Sequence, residues 1–354
     1  MKAAQIVTPK KPLEIKDLQT PKPRGSQVLV KVQSSGVCHS DIHLWEGGYK
    51  GPGDEFLKTT DRGVKYPLTP GHEIAGIISE LGEDAKDNFK NEERVMVFPW
   101  IGEGLCPACK MGNENLCDQP RSLGVYKDGG YAEYVLVPNY RYLIKIPDEL
   151  NSDTAATLSC SALTAYSAVK NATVRPDNNL VIVGAGGLGL MAIQLAKAVF
   201  GARIIALDLG DDKLKIAKEN GADEIVNSKN DDPVKRVMEL TNNKGADAVI
   251  DFVNASKTVE SDMQLLRRRA KVVLVGLFGG ELKLNLISMP TKAYSIIGSY
   301  TGNIQDMAEL VSLAKRKVIK PVISDRFKLN EATDALTKLK EGKITGRGVI
   351  NLDN

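Results

Sequence analysis

The sequence predicts an α/β protein that has a mostly β amino-terminal part followed by a doubly wound parallel sheet. Short apolar runs broken by Gly, Pro and Asp extend to about residue 146, which is typical of a β-rich region. After residue 160, short apolar strands alternate with helix-length segments, which predicts parallel strands covered by helices. At 354 residues the chain also exceeds the roughly 250 to 300 residues of a single core. We therefore expect two domains.

The strands of the first part are predicted from apolar residues that alternate or cluster at 27–32 and 73–80. In the second part, strands are predicted at 180–183, 203–207, 224–226, 246–251 and 271–275, and the apolar segment 190–200 is predicted to be a helix buried against the sheet. Beyond about residue 302 come two helix-like segments and a strand at 348–352. These are too short for a further domain, so we expect them to return to the first one.

Composition indicates a soluble globular protein, because 42% of the residues are hydrophobic, 26% are charged and the formal net charge is only +3. No stretch approaches the roughly 18 to 20 apolar residues that a membrane span needs, and the amino terminus lacks the apolar core of a signal peptide. The sequence predicts a cytoplasmic protein that has neither a nucleic-acid nor a membrane partner.

A glycine-rich loop follows the predicted strand 180–183 and precedes the apolar helix. In the pattern G-x-G-x-x-G, Gly184 permits a tight turn, Gly186 lets the backbone approach a pyrophosphate, and Gly189 lets the helix pack closely on the strand. Gly187 and Leu188 complete the loop. A lone glycine motif is weak evidence, but the strand before it and the helix after it predict a Rossmann dinucleotide site.

Asp208 ends the next predicted strand, where a carboxylate hydrogen-bonds the adenosine ribose and repels a 2′-phosphate. This position favours NAD over NADP. The alternative interpretation is that Asp208 merely caps the following helix. Lys213, one turn further on, is a second candidate for the ribose, although a solvated helix residue is the commoner role of such a lysine.

Three of the five cysteines form a compact group with one carboxylate, consisting of Cys106, Cys109, Cys117 and Glu103. An odd number of cysteines in a large chain without a secretion signal indicates metal or redox chemistry rather than disulfides. Four ligands suit a closed tetrahedral zinc site. At the position of Glu103, ahead of the Cys106 and Cys109 pair, another cysteine would ordinarily be expected. Glu114 is a nearby alternative to Glu103 as the fourth ligand.

The other two cysteines, Cys38 and Cys160, are far apart in sequence and also distant from His72. A catalytic zinc commonly has three protein ligands and one open position, and these residues supply such a set. Alone, each residue would more often be structural, since a buried cysteine acts as a small hydrophobe and a single histidine is usually hydrogen-bonded in a core.

Four motifs together resemble those of the zinc-containing medium-chain alcohol dehydrogenases. They are Gly-Val-Cys-His-Ser-Asp-Ile-His at 36–43, Pro-Gly-His-Glu-Ile-Ala-Gly at 70–76, the cysteine group and the glycine loop. The resemblance covers essentially the whole chain and is closest to the archaeal and bacterial tetrameric branch, where a glutamate replaces the first cysteine, as Glu103 does here. It implies a GroES-like catalytic domain at 1–160, a Rossmann NAD-binding domain at 161–299 and a return to the catalytic domain at 300–354.

The resemblance also implies a homotetramer with two zinc ions per chain, one catalytic and one structural. The catalytic ligands would be Cys38, His72 and Cys160, and the structural ligands would be Glu103, Cys106, Cys109 and Cys117. Glu73 matches a carboxylate that can approach the catalytic metal, and Asp41 matches the residue that orients the histidine.

Further roles follow from the same resemblance. Ser40 and His43 match the hydroxyl and the imidazole that pass the alcohol proton through the cofactor ribose to solvent, although His43 has an alternative interpretation as a surface histidine without a catalytic role. His39 and Arg347 would lie near the pyrophosphate. Thr164 would line the nicotinamide pocket.

The implied activity is reversible hydride transfer between a primary or secondary alcohol, or the matching aldehyde or ketone, and NAD(H). One alternative is a physiological aldehyde or semialdehyde reductase. Another is a non-catalytic dinucleotide-binding redox sensor, which would be expected to lack a catalytic zinc ligand, and the sequence retains all three. Zinc-free quinone reductases are excluded for the same reason. Trp100, Tyr49 and Tyr300 are weak candidates for the substrate pocket, since aromatic residues more often pack in cores.

Overall fold

The computed structural model describes residues 1–352, apart from the side chain of residue 54. Its amino-terminal part contains short helices, most strands of a largely antiparallel sheet and two separate two-stranded sheets. The strands are β1 (Lys2–Gln5), β2 (Glu14–Asp17), β3 (Val28–Val37), β4 (Gly48–Lys50), β5 (Phe56–Lys58), β6 (Glu73–Leu81), β7 (Arg94–Val97), β8 (Tyr134–Val137) and β9 (Leu143–Lys145). The helices are α1 (His39–Glu46), α2 (Pro107–Lys110) and α3 (Ser152–Thr157).

Helix α4 (Leu163–Ala172) leads into the second part, in which strands and helices alternate as predicted. In chain order they are β10 (Asn179–Val183), α5 (Gly187–Phe200), β11 (Arg203–Asp208), α6 (Asp211–Glu219), β12 (Glu224–Asn227), α7 (Pro233–Leu240), β13 (Ala246–Asp251), α8 (Ser256–Leu265), β14 (Leu266–Leu274), α9 (Ser288–Lys292) and β15 (Ser295–Gly298). The five predicted strands are all observed. Strand β15 was not predicted, because it is a short, half-exposed edge strand without a marked apolar run.

The parallel sheet has the strand order β12-β11-β10-β13-β14-β15 among the described residues. The chain therefore adds strands on one side of β10 and then crosses over to add the remaining strands from β13 onward. Ligands of such sheets bind at this reversal point, outside the carboxyl ends of the strands. The glycine loop, which follows β10, lies at that point.

The last segment contains α10 (Ile304–Lys315), β16 (Ile323–Phe327), α11 (Ala332–Lys340) and β17 (Arg347–Asn351). Strand β17 pairs antiparallel with β3, placing Gly348 opposite Val37, and β16 pairs with β17. The carboxyl-terminal strands thus belong to the same sheet as the first part of the chain, in the order β16-β17-β3-β6-β7-β9 with β8 beside β3.

Short 3₁₀ turns complete the architecture at Pro52–Asp54, Thr60–Arg62, Glu83–Ala85, Glu114–Leu116, Tyr140–Tyr142 and Leu329–Glu331, and a π-helical turn spans Leu158–Ala162. One buried apolar cluster contains residues of both sheets and of α4 and α5, so the two parts share a continuous core. Within residues 1–352, no helix combines the length and the apolar character needed to cross a bilayer.

Candidate active site

Three segments that are distant in sequence meet at one buried cluster. Cys38 lies between β3 and α1, His72 immediately precedes β6, and Cys160 lies in the π-helical turn. Pairing of β3 with β6 brings the first two together, because Gly36 is opposite Glu73. One ligand atom from each of Cys38, His72, Glu73 and Cys160 lies within 4.8 Å of the others, and all four residues are buried.

The geometry of this cluster fits a zinc ion. The sulfur atoms of Cys38 and Cys160 are 4.0 Å apart, close to the roughly 3.8 Å expected for two thiolates on a tetrahedral zinc with Zn–S bonds near 2.3 Å. His72 Nε2 is buried and has no hydrogen-bond partner among the described residues. A buried polar atom without a partner is costly, and a metal ligand bond satisfies it. These three residues therefore form a donor set suited to a catalytic zinc.

The buried groups of the cluster shift the pKa values of one another. A hydrogen bond from the Cys160 thiol holds the pKa of Cys38 well below its usual value, and the same bond, together with burial, raises the pKa of Cys160. Burial opposes a charged His72, but the carboxylate of Asp41 and the sulfur of Cys38 outweigh it and raise the pKa of His72. The negative groups beside this cluster are therefore the Cys38 sulfur and the Asp41 carboxylate, which hold a proton on His72 when no metal is bound.

Asp41, on the first turn of α1, organises the surroundings of the histidine. Its fully buried carboxylate lies 3.1 Å from His72 Nδ1 and accepts hydrogen bonds from the backbone amides of Cys38 at 3.0 Å and Gly71 at 3.3 Å. It also accepts one from the hydroxyl of Tyr131 at 3.1 Å. A single carboxylate therefore fixes the two segments that carry Cys38 and His72.

Tyr131 was missed by sequence reasoning, because no motif or spacing links it to residues far earlier in the chain. Its ring packs over Gly71, which adopts a left-handed φ of +92°, and a Cβ at that position would lie only 2.3 Å from the ring. Only glycine meets both requirements. The Pro-Gly-His motif is therefore partly a packing requirement of Tyr131.

Glu73 and Arg347 form a buried ion pair behind the cluster. The guanidinium of Arg347, at the start of β17, donates to the Glu73 carboxylate, and the two side chains are 3% and 0% exposed. Burial raises the pKa of Glu73, and the charge of Arg347 opposes that shift. Arg347 also lines the cleft beside Gly187, the region in which the sequence predicted it. The pair places a carboxylate next to the metal ligands with its charge balanced.

The candidate proton-relay residues lie on α1 at the mouth of the cleft. Ser40 and His43 are three residues apart, so they share one face of the helix, and both line the cleft. The ring of His43 stacks on Tyr49 with a centroid separation of 4.6 Å. Burial lowers the pKa of His43, so its imidazole is neutral at pH 7 and able to accept a proton.

The glycine loop adopts the predicted geometry. Gly184 has a φ of +93°, and a Cβ on Gly189 would lie 1.9 Å from the carbonyl oxygen of Gly184, so α5 packs tightly against the turn. A Cβ on Gly186 would meet no atom within 4 Å, which leaves its backbone accessible from the cleft. The amino end of α5 thus faces open space in which an anion can be bound.

Asp208 ends β11 and lines the same cleft. Its Oδ2 accepts a hydrogen bond from the amide of Ala185 at 2.7 Å, and its Oδ1 accepts from Leu209 at 2.7 Å and Gly210 at 3.1 Å. The N-cap residue of α6 is Gly210, so the helix-capping interpretation of Asp208 is not observed. The carboxylate instead connects the end of β11 to the glycine loop.

A single cleft contains nearly all of the residues predicted for the cofactor and the relay. It is lined by Cys38, His39, Ser40, His43, Cys160, Thr164, Gly184, Gly186, Gly187, Leu188, Gly189, Asp208, Lys213 and Arg347. His72, Glu73 and Asp41 do not line it but lie buried behind it. Trp100 and Tyr300 also line the cleft, whereas Tyr49 is not among the lining residues and stacks on His43.

The second cluster lies in a surface lobe formed by residues 103–117, hereafter the lobe. Ligand atoms of Glu103, Cys106, Cys109 and Cys117 lie within 4.8 Å of one another. The sulfur of Cys106 is 3.5 Å from that of Cys109 and 3.7 Å from that of Cys117, separations suited to tetrahedral zinc. A hydrogen bond from the Cys109 amide lowers the pKa of Cys106, whereas burial raises the pKa of Cys109 to about 12.

The competing carboxylate, Glu114, is engaged elsewhere. It accepts hydrogen bonds from the amide of Gly102 at 3.1 Å, from Arg141 at 2.7 Å and from the Tyr142 hydroxyl at 2.6 Å. Glu103 is the carboxylate whose oxygen lies with the three sulfurs. The geometry therefore favours Glu103 as the fourth ligand.

Comparison with known proteins agrees with this arrangement. Residues 24–148 match the family model described as alcohol dehydrogenase GroES-like domain, and residues 187–316 match that of zinc-binding dehydrogenase. The chain is 45% identical over 351 residues to an NAD-dependent alcohol dehydrogenase of Sulfurisphaera tokodaii and 42% identical to one of Saccharolobus solfataricus, covering 99% of each chain. The crystal structure of the alcohol dehydrogenase from Aeropyrum pernix superposes with a TM-score of 0.90 at 36% identity, covering 99% of this chain and all of that one.

Proposed function

Because the chain belongs to the zinc-containing medium-chain alcohol dehydrogenases, we propose that it catalyses reversible hydride transfer between a primary or secondary alcohol and NAD. The products are the matching aldehyde or ketone, NADH and a proton. The observation that carries this proposal is the convergence of Cys38, Cys160 and the glycine loop on one cleft, with His72 buried directly behind it. A metal site and a dinucleotide site share that space.

The chain holds two zinc ions in this proposal, one at Cys38, His72 and Cys160 and one at Glu103, Cys106, Cys109 and Cys117. When bound, the cleft zinc polarises the substrate oxygen as a Lewis acid, and the nicotinamide accepts the hydride. The lobe zinc has four protein ligands and no open position, so its role is structural.

The side chains around the cleft zinc position it and balance its charge. Asp41 binds His72 through Nδ1 and so leaves Nε2 for the metal. Glu73, neutralised by Arg347, supplies a further carboxylate beside the ligands. Ser40 takes the proton of the substrate hydroxyl, the cofactor ribose carries it onward, and His43, whose lowered pKa keeps it neutral at pH 7, accepts it at the solvent end.

The remaining cleft residues are assigned to the cofactor. Gly184, Gly186, Gly187, Leu188 and Gly189 receive the pyrophosphate at the amino end of α5. His39 and Arg347 contribute positive or hydrogen-bonding groups to the same region, Thr164 lines the nicotinamide end, and Asp208 and Lys213 receive the adenosine ribose.

The experiment that tests this function compares catalytic efficiency with NAD and NADP during alcohol oxidation. We expect a clear preference for NAD, because Asp208 repels a 2′-phosphate. Asp208→Asn should raise kcat/KM for NADP at least about tenfold, since it removes a charge repulsion of about 1.4 kcal/mol. Asp212→Asn, an exposed acid on α6, is the matched control and should change neither value. A wild-type enzyme more efficient with NADP would contradict the proposal.

We also propose the division of the chain into a catalytic domain at 1–160 and 300–354 and a nucleotide domain at 161–299, which the membership of β17 in the β3 sheet supports. We further propose that the protein is a homotetramer located in the cytoplasm. Sedimentation analysis should give a mass near four times the 38.4 kDa of one chain, and a monomeric or dimeric mass would contradict the tetramer.

A further inference from the structure

The lobe contacts the segment in which the chain passes from the parallel sheet to α10, residues 299–303, hereafter the crossing segment. Asn115 Nδ2 donates to the carbonyl oxygen of Tyr300 at 2.8 Å, and Asn303 Nδ2 donates to Asn113 Oδ1 at 3.2 Å. The partners are 185 and 190 residues apart along the chain. Two asparagines of the lobe therefore hold two points of the crossing segment.

The crossing segment needs such support, because its backbone is strained. Thr301 has a φ of +48°, a left-handed conformation that is unfavourable for a β-branched residue. Its hydroxyl is buried and has no partner among the described residues. Strain of this kind persists only where the surroundings hold the backbone in place. On one side of Thr301 the Asn115 amide binds the Tyr300 carbonyl, and on the other Asn303 caps α10.

The backbone position of Tyr300 determines one wall of the cleft. Its ring packs edge-on against Trp100 with a centroid separation of 5.9 Å, and both rings line the cleft. Trp100 is anchored by its own side chain, since Nε1 donates to the carbonyl of Ser159 at 3.0 Å and the indole lies 5.2 Å from the ring of His72. Tyr300 as a whole is 46% exposed, whereas Trp100 is buried.

Asn115 makes its hydrogen bond to the crossing segment rather than within the lobe. Its Oδ1 is buried and has no hydrogen-bond partner in the described part of the chain. Its Nδ2 donates to the carbonyl oxygen of Tyr300. Asn115 lies within the zinc-binding loop, between Glu103 and Cys117. A lobe held rigid by four metal ligands therefore presents a fixed donor to the backbone of a residue that lines the cleft.

We propose that Asn115 is a positioning residue that acts through Tyr300, so that the lobe sets the width of the substrate site. Trp100 and Tyr300 then form an aromatic wall that favours apolar alcohols with a ring or a long alkyl chain over small alcohols. Flat, rigid rings offer a large apolar contact area in a defined geometry. This inference deepens the proposed function and rests on it.

The test compares two substitutions of the same kind within the lobe. Asn115→Asp removes the donor to the Tyr300 carbonyl, whereas Asn113→Asp keeps the acceptor used by Asn303 and is the matched control. Asn115→Ala removes the donor without adding a charge. Each purified variant is assayed for zinc content and for NAD-dependent oxidation of benzyl alcohol and of ethanol.

We expect both Asn115 variants to raise KM for benzyl alcohol about fivefold, a factor typical of one lost hydrogen bond. Ethanol offers the wall much less apolar surface than benzyl alcohol, so kcat and KM for ethanol should stay within about twofold, as should both constants of Asn113→Asp. Equal changes for both alcohols would indicate a general structural role and overturn the proposal. In a Tyr300→Ala background, Asn115→Ala should have no further effect, and additive effects would also overturn it.

A spectroscopic measurement tests the positioning without turnover. The chain has two tryptophans, so Trp45→Phe leaves Trp100 as the sole indole emitter. Adding Asn115→Ala should red-shift the Trp100 emission, because the Tyr300 ring no longer shields it, while Asn113→Asp should not. If the wild-type chain oxidised no alcohol with NAD, the proposed function would fail on that result. If it is active, an unchanged benzyl alcohol KM together with unchanged Trp100 emission in Asn115→Ala overturns the positioning role.

Discussion

The two metal-ligating clusters of this enzyme reach similar sulfur separations by opposite routes. The lobe takes its ligands from one loop, residues 103–117, around the short helix α2. The cleft takes Cys38, His72 and Cys160 from three elements separated by much of the chain. A local cluster needs only closure of a short loop, whereas the cleft cluster exists only when the β3 sheet and the π-helical turn are packed together. Function is assigned to the cluster that depends on the whole fold.

The two clusters also differ in the groups that contact their ligands. The lobe ligands are bound mainly by backbone amides of their own loop, and Cys106 is only partly buried. The cleft ligands are buried and contact charged side chains, including Asp41 and the Glu73 and Arg347 pair. Backbone amides and charged side chains both shift a pKa, but only charged side chains change the net charge of a site. This difference agrees with the proposed catalytic role of the cleft cluster and the proposed structural role of the lobe.

Of the substitutions that distinguish the two clusters, His72→Ala is expected to have the largest effect on turnover. Loss of a catalytic metal ligand removes Lewis-acid stabilisation of the reacting oxygen, so turnover should fall at least about a thousandfold. NADH binding should remain, because the glycine loop and Asp208 need no zinc to hold the adenosine half. Steady-state kinetics and NADH fluorescence titration measure the two quantities.

A correctly folded His72→Ala enzyme that kept more than about a tenth of wild-type turnover would have lost only about 1.4 kcal/mol of transition-state stabilisation. That result would contradict the assignment of His72 as a ligand of the catalytic metal. Loss of NADH binding in the same variant would instead show that the cleft zinc is needed to assemble the cofactor site.

Cys106→Ser tests the comparison at the lobe cluster. Zinc content should fall from two ions per chain to one, and the melting temperature should drop by several degrees, because a structural zinc contributes to folding. Turnover of the remaining folded enzyme should fall by less than about tenfold. The matched control is Leu105→Ser at the exposed neighbouring residue, which should keep both ions. Loss of both ions from Cys106→Ser, or an unchanged melting temperature, would break the distinction between the clusters.

A smaller effect is expected at a buried acidic pair that holds a proton rather than a metal. Asp262, on α8, is 1% exposed, and burial together with the charge of Asp251 raises its pKa to about 9. Between about pH 4 and pH 9, folded Asp262 therefore keeps a proton that the same residue has already lost in the unfolded chain, where its pKa is about 3.9. Stability that this proton contributes is present at low pH and is lost as the pH rises toward 9.

Asp262→Asn should reduce that pH dependence, because the amide stays neutral. The difference in melting temperature between pH 5 and pH 8.5 should be smaller in the variant than in the wild type, and the variant should be the more stable of the two at pH 8.5. Glu260→Gln, an exposed acid on the same helix, is the control and should follow the wild type. Parallel curves for Asp262→Asn and wild type would contradict the raised pKa.

Much of this arrangement was predictable from local patterns. The alternation of strands and helices after residue 160, the loop from Gly184 to Gly189 and the cysteine spacing of the lobe each depend on residues that are close in sequence, and the structure shows each of them. The cleft ligands were predicted through their resemblance to a known family. Their spacing alone indicated nothing more than three separate buried residues.

Other features could not be predicted, because they depend on which segments the folded chain brings into contact. Nothing in the sequence links Tyr131 to Asp41, or Arg347 to Glu73. The choice between Glu103 and Glu114 likewise followed from contacts, since Arg141 and Tyr142 occupy Glu114.

The sequence by itself therefore determined the fold class, the glycine loop and the ligand types, because periodicity, turn chemistry and short spacings are properties of neighbouring residues. Only the tertiary structure decided which carboxylate joins the lobe, which charge balances Glu73 and which ring stands opposite Trp100. Such contacts form between segments whose approach is set by sheet pairing and core packing, and the energy of burying a charge or an aromatic ring depends on the partner found there.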